Sequence, residues 1–169
     1  MDAFAHAFSS KIQQQGIAFG KTRIGVHCGE VIVGNFGGSN MFDYRALGDP
    51  VNTAARLESV NKHLGTRMCV SEAILSGNPD AQVRPVGRLV LKGKAQALAV
   101  FEPVVEDAMP RAPLADYRAA FEALHSEAPE AAGLFAQLAQ AWPQDPLVHL
   151  HHQRLSAGEK GDVIVMSAK

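Results

Sequence analysis

The chain has 169 residues, a length typical of one domain and too short for a large multidomain enzyme. Hydrophobic residues make up 47% and charged residues 20%, so the composition fits a folded globular protein and argues against disorder. The net charge of −1 lacks the basic excess of most nucleic-acid-binding domains, so nucleic acid is not expected as a partner.

The first predicted element is an amphipathic helix over residues 2–15, because Phe4, Phe8 and Ile12 recur at helical spacing. Gly16 follows where a left-handed C-terminal cap is expected. The segment RIGVHCGEVIVGNFGG is rich in β-branched residues and is predicted to form strands. A Gly-Gly-Ser-Asn turn then leads into a returning strand, MFDYRALG.

The next helix, DPVNTAARLESVNKHL, has clear boundaries. Asp49 is expected to cap its first turn, Pro50 suits the first helical position, and Gly65 ends the pattern. Four residues are predicted to form a buried stripe: Thr53, Leu57, Val60 and Leu64. Asn52 and Arg56 lie four residues apart on a different face, so their side chains point to the same side of the helix.

Strand-like runs follow at TRMCVSEAI, GRLVLKG and ALAVFEPV, and this order of helices and strands predicts an α+β fold. Pro110 and Pro113 then lie close together, as in a linker. We therefore place a first part at residues 1–104 and a linker at residues 105–113. The first part carries 11 Lys or Arg and 8 Asp or Glu, a net charge of +3, whereas residues 105–169 carry −4.

Residues 114–157 are predicted to form a helical tail. Two apolar stripes indicate two antiparallel helices, and Pro129 lies at the start of the second helix. The first stripe is Leu114, Tyr117, Phe121 and Leu124, and the second is Leu134, Phe135, Leu138, Ala141 and Trp142. The pattern is similar to one tetratricopeptide helix pair, a repeat that needs about three copies to be stable alone, so the tail is expected to pack on the first part. Residues 158–169 show no pattern and are expected to be flexible.

The block RIGVHCGEVIVGNFGGSNMFDYRALGDPVNTAARLESVNKHLG carries the most specific signal. It resembles the catalytic domain of the class III adenylate and guanylate cyclases, whose members carry similar R-I-G-x-H-x-G, G-x-x-G and D-Y-x-x-x-G-D-x-V-N-x-A-x-R-x-E runs. The resemblance continues through VSEAI, LKGK and VFEPV, covers residues 1–104 and is closest to bacterial members. It implies a ferredoxin-like class III nucleotide cyclase domain that lacks its N-terminal strands, with the helical appendage after it.

The resemblance implies a reaction in which the ribose 3′-hydroxyl of a nucleoside triphosphate attacks the α-phosphate and expels pyrophosphate, giving a cyclic 3′,5′-nucleotide for signal transduction. Arg56 matches the arginine that stabilises the transition state, a task that suits a permanently charged guanidinium. Asn52 matches the asparagine that positions the ribose, and Lys92 matches the lysine that contacts the terminal phosphates. Asn52 and Arg56 are therefore the candidate catalytic residues, and Lys92 is a candidate substrate-binding residue.

Arg45 occupies the family position that helps to select the base, directly after the tyrosine of the D-Y segment. This position is commonly Asp or Thr in the family, whereas an arginine donates hydrogen bonds and cannot accept them. Arg45 would suit the O6 atom of guanine better than the N6 amino group of adenine. ATP or GTP therefore remains open as the substrate, with ATP preferred.

Family members hold two divalent metal ions, Mg²⁺ or Mn²⁺, through two aspartates that precede the first helix of this chain. No residue here matches them, because Asp2 lies in the predicted first helix while Asp43 and Asp49 occupy other positions of the family pattern. Without fixed carboxylates to orient the metal, the isolated chain is expected to be inactive.

The family's site lies between two domains packed head to tail, so the expected partner is a second copy in a head-to-tail homodimer or a full-length cyclase. A first alternative is a non-catalytic, cyclase-like regulatory or interaction module that binds a partner through the region from Tyr117 to Leu155. A second alternative is nucleotide binding without chemistry.

No apolar run approaches the roughly 18 residues of a membrane helix, and the first residues lack the pattern of a signal peptide. Cys28 and Cys69 lie far apart, which fits a reducing compartment. We expect a cytoplasmic chain without direct membrane contact, either free or as the cytoplasmic part of a membrane-anchored sensor in a longer parent.

Two other patterns carry less weight. The segment HLHH at residues 149–152, near Asp145, suggests a metal site, but it is more typical of a packed or surface helix. The glycines of GNFGG suggest a phosphate loop, but no G-K-[ST] follows them, so a turn is predicted.

Overall fold

The computed structural model describes residues 2–37, 43–94, 96–104 and 110–166, and its fold is α+β as predicted. Six helices lie in these ranges: α1 (Asp2–Gln14), α2 (Asp49–Leu64), α3 (Glu72–Leu75), α4 (Leu114–His125), α5 (Ala131–Ala141) and α6 (Pro146–Ser156). The strands are β1 (Ile24–Val26), β2 (Ile32–Asn35), β3 (Tyr44–Leu47), β4 (Met68–Ser71), β5 (Val83–Val90), β6 (Leu98–Pro103) and β7 (Val163–Val165). None of the described helices has the length and hydropathy needed to span a bilayer.

Five strands form one mixed sheet in the order β1-β4-β6-β5-β7. The outer pairs β1–β4 and β5–β7 are parallel, and the inner pairs β4–β6 and β5–β6 are antiparallel. Strands β2 and β3 form a separate antiparallel ribbon, in which Gly34 lies opposite Arg45. The sequence predicted this returning strand, although residues 38–42 between the two strands lie outside the described residues.

Helix α2 lies directly against β1 because β1 has a glycine at the contact. A β-carbon at Gly25 would lie 2.2 Å from the backbone nitrogen of Glu58 and 2.4 Å from the carbonyl oxygen of Ala54, so only glycine fits there. Gly65 ends the helix in the left-handed conformation at φ 73°, as predicted. The predicted stripe of α2 is buried in full: Thr53, Leu57, Val60 and Leu64.

Two local predictions for these elements were wrong. Asp49 is the first residue of α2 and does not cap the helix, because Gly48 occupies the cap position. The carboxylate of Asp49 pairs with Lys94 instead. The segment SEAI, predicted as the end of a strand, turns into the short helix α3 directly after Ser71.

The tail contains three helices, one more than predicted. Helix α4 packs on β5, in line with the expectation that the tail packs on the first part, and α5 packs against α4 and α6. The Tyr117 hydroxyl in α4 donates a hydrogen bond of 2.8 Å to the carbonyl oxygen of Pro85 in β5. One hydrophobic cluster contains Leu57 of α2, Val86 of β5 and Phe135 of α5. The core is therefore continuous from the sheet into the tail. Residues 105–109 of the predicted linker lie outside the described residues.

A buried arginine joins the tail to the sheet. Arg84 in β5 is 1% exposed, and its Nη2 donates to Glu102 Oε2 in β6 at 2.8 Å and to Asp145 Oδ1, before α6, at 3.0 Å. Its guanidinium also lies 4.6 Å from the centre of the Tyr117 ring, within the range of a cation–π contact. Burial alone would raise the pKa of Asp145, but the hydrogen bond and the charge of Arg84 outweigh burial and hold that pKa below its ordinary value.

Asp145 also organises the start of α6. Its Oδ1 accepts hydrogen bonds from the backbone nitrogens of Leu147 at 3.2 Å and Val148 at 3.4 Å, which caps the helix. Its Oδ2 accepts from the backbone nitrogen of Ala112 at 2.9 Å. One carboxylate thus holds the sheet, the segment before α4 and the first turn of α6 together.

Strand β7 lies in residues 158–169, for which no regular element was expected. It runs parallel to β5, with Val163 opposite Arg88 and Val165 opposite Val90. Asp162, just before β7, accepts a hydrogen bond of 2.6 Å from Arg88 Nη2 and lies 3.1 Å from the ring nitrogen Nδ1 of His125. The end of the tail is therefore part of the sheet up to Val165. Residues 167–169 lie outside the described residues.

His151, in the histidine-rich segment, is packed inside the tail. Its ring centre lies 5.1 Å from that of Phe135 and 5.6 Å from that of Phe121. No described residue forms a hydrogen bond with either ring nitrogen. Because burial disfavours the charged imidazolium, the pKa of His151 falls to about 3.

Replacing Asp145 should destabilise the whole chain. In Asp145→Ala the buried Arg84 charge loses one of its two acidic partners and α6 loses its cap, so we expect the free energy of unfolding to fall by about 3–5 kcal/mol in urea denaturation. Asp116→Ala, at an exposed aspartate in the first turn of α4, is the matched control and should cost less than about 1 kcal/mol. Equal losses in the two variants would contradict the role assigned to Asp145.

Replacing His151 by leucine should stabilise the chain by about 1 kcal/mol at pH 7, because an unsatisfied polar ring leaves the core. A histidine titrates near 6.5 when unfolded, whereas His151 titrates near 3 in the folded chain, so between these values the unfolded state binds more protons. The wild type therefore loses stability as the pH falls below 6.5, by up to about 1.4 kcal/mol per pH unit, and His151→Leu escapes this loss. Urea denaturation of both proteins from pH 7 to 4.5 measures the difference between their free energies of unfolding. A difference that does not change with pH would contradict the lowered pKa of His151.

Candidate functional site

Helix α2 carries two of the predicted site residues on one side. Asn52 is exposed, and Arg56, one turn further along, is partly buried. The helix is fixed in place because Thr53 and Leu57 face the core and Gly25 lets it lie against β1. Both polar side chains are therefore presented from a rigid element.

Arg56 and Lys92 line one cavity, although the first lies on α2 and the second follows β5. The cavity has a volume of about 160 Å³. Its lining combines the two cationic side chains with polar and apolar neighbours: Arg56, Ser59, Val60, His63, Leu91, Lys92 and Met166. The structure thus brings Arg56 and Lys92 together, while Asn52 lies outside the lining, one helical turn from Arg56.

The turn that carries Lys92 lies beside Arg56 and contains a glycine in the left-handed conformation. Gly93 has φ +72°, in the left-handed region, and a β-carbon there would lie 3.6 Å from Arg56 Nη2 and 3.8 Å from Nη1. Glycine adopts this conformation without the steric penalty of other residues. The sequence LKGK is therefore suited to hold a lysine beside the guanidinium.

An ion pair ties the same turn to the beginning of α2. Lys94 contacts the carboxylate of Asp49, and this hydrogen bond lowers the pKa of Asp49 below its ordinary value. Within the part of the chain that the structure describes, neither Arg56 nor Lys92 forms an ion pair of its own. The carboxylate at this end of α2 is thus engaged by Lys94, and the cavity keeps two cations for an anionic ligand.

Arg45 lies elsewhere. It is exposed on strand β3, pairs with Asp43 two residues before it, and is not part of the cavity lining. The structure therefore does not bring Arg45 together with Arg56 and Lys92.

The residues present do not fit the divalent metal site that the family resemblance implies. Among residues 2–37, 43–94, 96–104 and 110–166, no group of three His, Cys, Asp or Glu side chains could hold a metal ion. Asp43 and Asp49 are engaged by Arg45 and Lys94 instead. The two cations of the cavity are suited to an anionic ligand.

Five lining residues were not identified as site residues from the sequence: Ser59, Val60, His63, Leu91 and Met166. Ser59 and His63 follow Arg56 by three and seven residues on α2, so helical spacing could have found them. Met166 comes from the far end of the tail, beyond β7, where the sequence shows no pattern. Its position depends on the pairing of β7 with β5.

Comparison with known proteins gives consistent results for the first part of the chain. The family model described as adenylate and guanylate cyclase catalytic domain matches residues 3–102. Adenylate cyclase 1 of Rhizobium meliloti is 38% identical over 99 residues, 58% of this chain and 15% of that protein. The adenylate cyclase of Anabaena cylindrica is 29% identical over 106 residues, 60% of this chain and 21% of that protein. The chain thus spans at most about a fifth of these two relatives.

A solved structure agrees with these matches. The adenylyl cyclase CyaB from P. aeruginosa superposes with a TM-score of 0.53 at 25% sequence identity, over 63% of this chain and 55% of that one.

Gly93→Ala should strain the turn beside Arg56. An alanine at φ +72° costs about 1–2 kcal/mol, so the free energy of unfolding in urea should fall by that amount. Gly133→Ala in α5 is the matched control, because a β-carbon there meets nothing within 4 Å and alanine favours a helix by about 0.5–1 kcal/mol. The same substitution should therefore have opposite signs at the two positions, and a stabilised Gly93→Ala would contradict the geometry of the turn.

Proposed function

The chain belongs to the adenylate and guanylate cyclase catalytic domain family, and from this we propose that it provides the phosphate-binding side of a nucleotide cyclase site. The parent reaction converts a nucleoside triphosphate into a cyclic 3′,5′-nucleotide and pyrophosphate, for signalling inside a bacterial cell. In this proposal residues 1–104 are the cyclase part, residues 105–113 are a linker and residues 114–157 are a helical tail.

The meeting of Arg56 and Lys92 in one cavity is the observation that carries the proposal. The two residues come from different elements, so their meeting is a property of the fold and not of local sequence. Two cations that form no ion pair with any described residue favour a ligand with several negative charges, and a triphosphate is such a ligand. We assign Asn52, one turn before Arg56 on the same side of α2, to the sugar of the same ligand.

In this proposal Arg56, Lys92 and Asn52 act on different parts of the nucleotide. The ribose 3′-oxygen forms a bond to the α-phosphorus, and the bond from that phosphorus to the bridging oxygen breaks, so that pyrophosphate departs with the electron pair. The 3′-hydroxyl proton passes to solvent water. Arg56 stabilises the charge that develops on the α-phosphate, because its guanidinium is always charged and donates two hydrogen bonds to one group. Lys92 binds the terminal phosphates, and Asn52 orients the ribose.

The chain by itself should not complete this reaction, because no described cluster of carboxylates could hold the Mg²⁺ or Mn²⁺ ions of the family. We propose that the carboxylates come from a full-length cyclase packed head to tail with this chain, while a head-to-tail homodimer would contain the cation side twice. The two relatives described above are adenylate cyclases, which favours ATP over GTP as the substrate. Arg45 is engaged by Asp43 and lies outside the cavity, so the base is assigned without it.

A non-catalytic regulatory module is the second candidate, favoured by the same lack of a described metal-ligand cluster. Its partner surface would have to differ from the apolar stripe of the tail. Tyr117, Leu124 and Phe135 are each no more than 1% exposed, so that stripe is occupied by the chain's own core. A partner would bind the outward faces of these helices.

Triphosphate binding tests the proposal directly. ATP, GTP or inorganic tripolyphosphate should raise the melting temperature of the wild-type chain, since a ligand that binds the folded state stabilises it. Arg56→Ala and Lys92→Ala should each lose most of this shift. Lys62→Ala, which removes an exposed cation of α2 outside the cavity, should keep it.

A cyclase assay of the pure chain with ATP and Mg²⁺ or Mn²⁺ separates the enzyme side of the proposal from binding alone. We expect no cyclic nucleotide above background. Appreciable turnover would show that metal ligands exist in this chain after all, and a melting shift that survives both Arg56→Ala and Lys92→Ala would place the triphosphate elsewhere.

A further inference from the structure

We propose that Met166, delivered by the tail, obstructs the Arg56–Lys92 cavity and weakens its binding of polyphosphate. This inference rests on the proposed function, because it concerns the same cavity. In this proposal the tail, through Met166, limits how well the two cations of the cavity bind a polyphosphate.

The parallel pairing of β7 with β5 places Met166 at the cavity. Both strands run in the same direction, so the end of β7 lies beside the end of β5, where Leu91 and Lys92 follow. The backbone nitrogen of Met166 donates a hydrogen bond of 3.1 Å to the carbonyl oxygen of Val90. This bond holds Met166, which lines the cavity together with residues of α2.

The elements before Met166 hold β7 firmly. Asp162 is bound by Arg88 and His125, and Ile164 is buried in the core. Arg154 in α6 donates a hydrogen bond of 2.7 Å to the carbonyl oxygen of Val163. The position of Met166 is therefore set by the tail and needs no ligand in the cavity.

The chemistry of methionine makes this contact unfavourable for a phosphate. A thioether donates no hydrogen bond, so a phosphate oxygen that faces it loses water and gains no partner. The cavity volume of about 160 Å³ is also below the roughly 300 Å³ at which ligand pockets begin. A shorter side chain at this position removes the obstruction and leaves Arg56 and Lys92 in place.

Titration calorimetry with inorganic tripolyphosphate tests the inference at low salt. Met166→Ala should bind more tightly than the wild type, by about threefold or more, because the phosphate oxygens keep their water on that side. Met166→Leu keeps a side chain of similar size without hydrogen-bond donors and should bind like the wild type. Val165→Ala is the control, because Val165 is 70% exposed on β7 and does not line the cavity.

The outcomes separate the inference from the proposed function. Unchanged or weaker binding by Met166→Ala, with binding still lost in Arg56→Ala, overturns the inference alone. Binding that is insensitive to Arg56→Ala overturns the proposed function and this inference together. Melting temperatures of the variants, recorded without ligand, establish that each variant is folded when it is titrated.

Discussion

Arg84 carries a positive charge inside the protein. The acidic residues that compensate this charge join the sheet to the tail. Its guanidinium is held by Glu102 on the neighbouring strand and by Asp145 at the start of α6. A buried charge that loses a partner costs several kcal/mol, so β5 reaches its stable state only with α6 in place. Because the same Asp145 carboxylate accepts the backbone nitrogen of Ala112, the path of the chain into the tail is fixed at the same point. The tail is therefore energetically part of the sheet it covers.

The cavity is connected to this joint indirectly, through strand β5. Arg56 is placed by α2, which lies against β1 at Gly25, and Lys92 is placed by the end of β5 and the turn at Gly93. The two supports belong to the cyclase-like part, but β5 is also the strand that the tail holds through Arg84. The tail therefore contacts both the strand that leads to Lys92, through Arg84, and the cavity itself, through Met166.

The sequence predicted what depends on local pattern or on family motifs. The boundaries of α2 came from Pro50 and Gly65, and the buried stripe of α4 from its 3.6-residue period. Strand β7 was missed because three residues give no period and its pairing with β5 is set by distant contacts. The Arg84 network was missed because an arginine within a strand is ordinarily read as a solvent-facing position. The meeting of Arg56 with Lys92 was expected only through the family resemblance. Neither the local sequence pattern nor the family motifs pointed to Met166.

The separation along the chain between β5 and β7 has a consequence for synthesis on the ribosome. Val90 pairs with Val165, so this edge of β5 stays unpaired until a strand 75 residues further along has been synthesised. At roughly 5–20 residues per second, that wait is on the order of 4–15 seconds. During it Arg84 has not yet met Asp145, and the free strand edge is available to other nascent chains. Synthesis of the tail thus ends a period in which the unpaired edge of β5 can pair wrongly and in which chaperones can bind it.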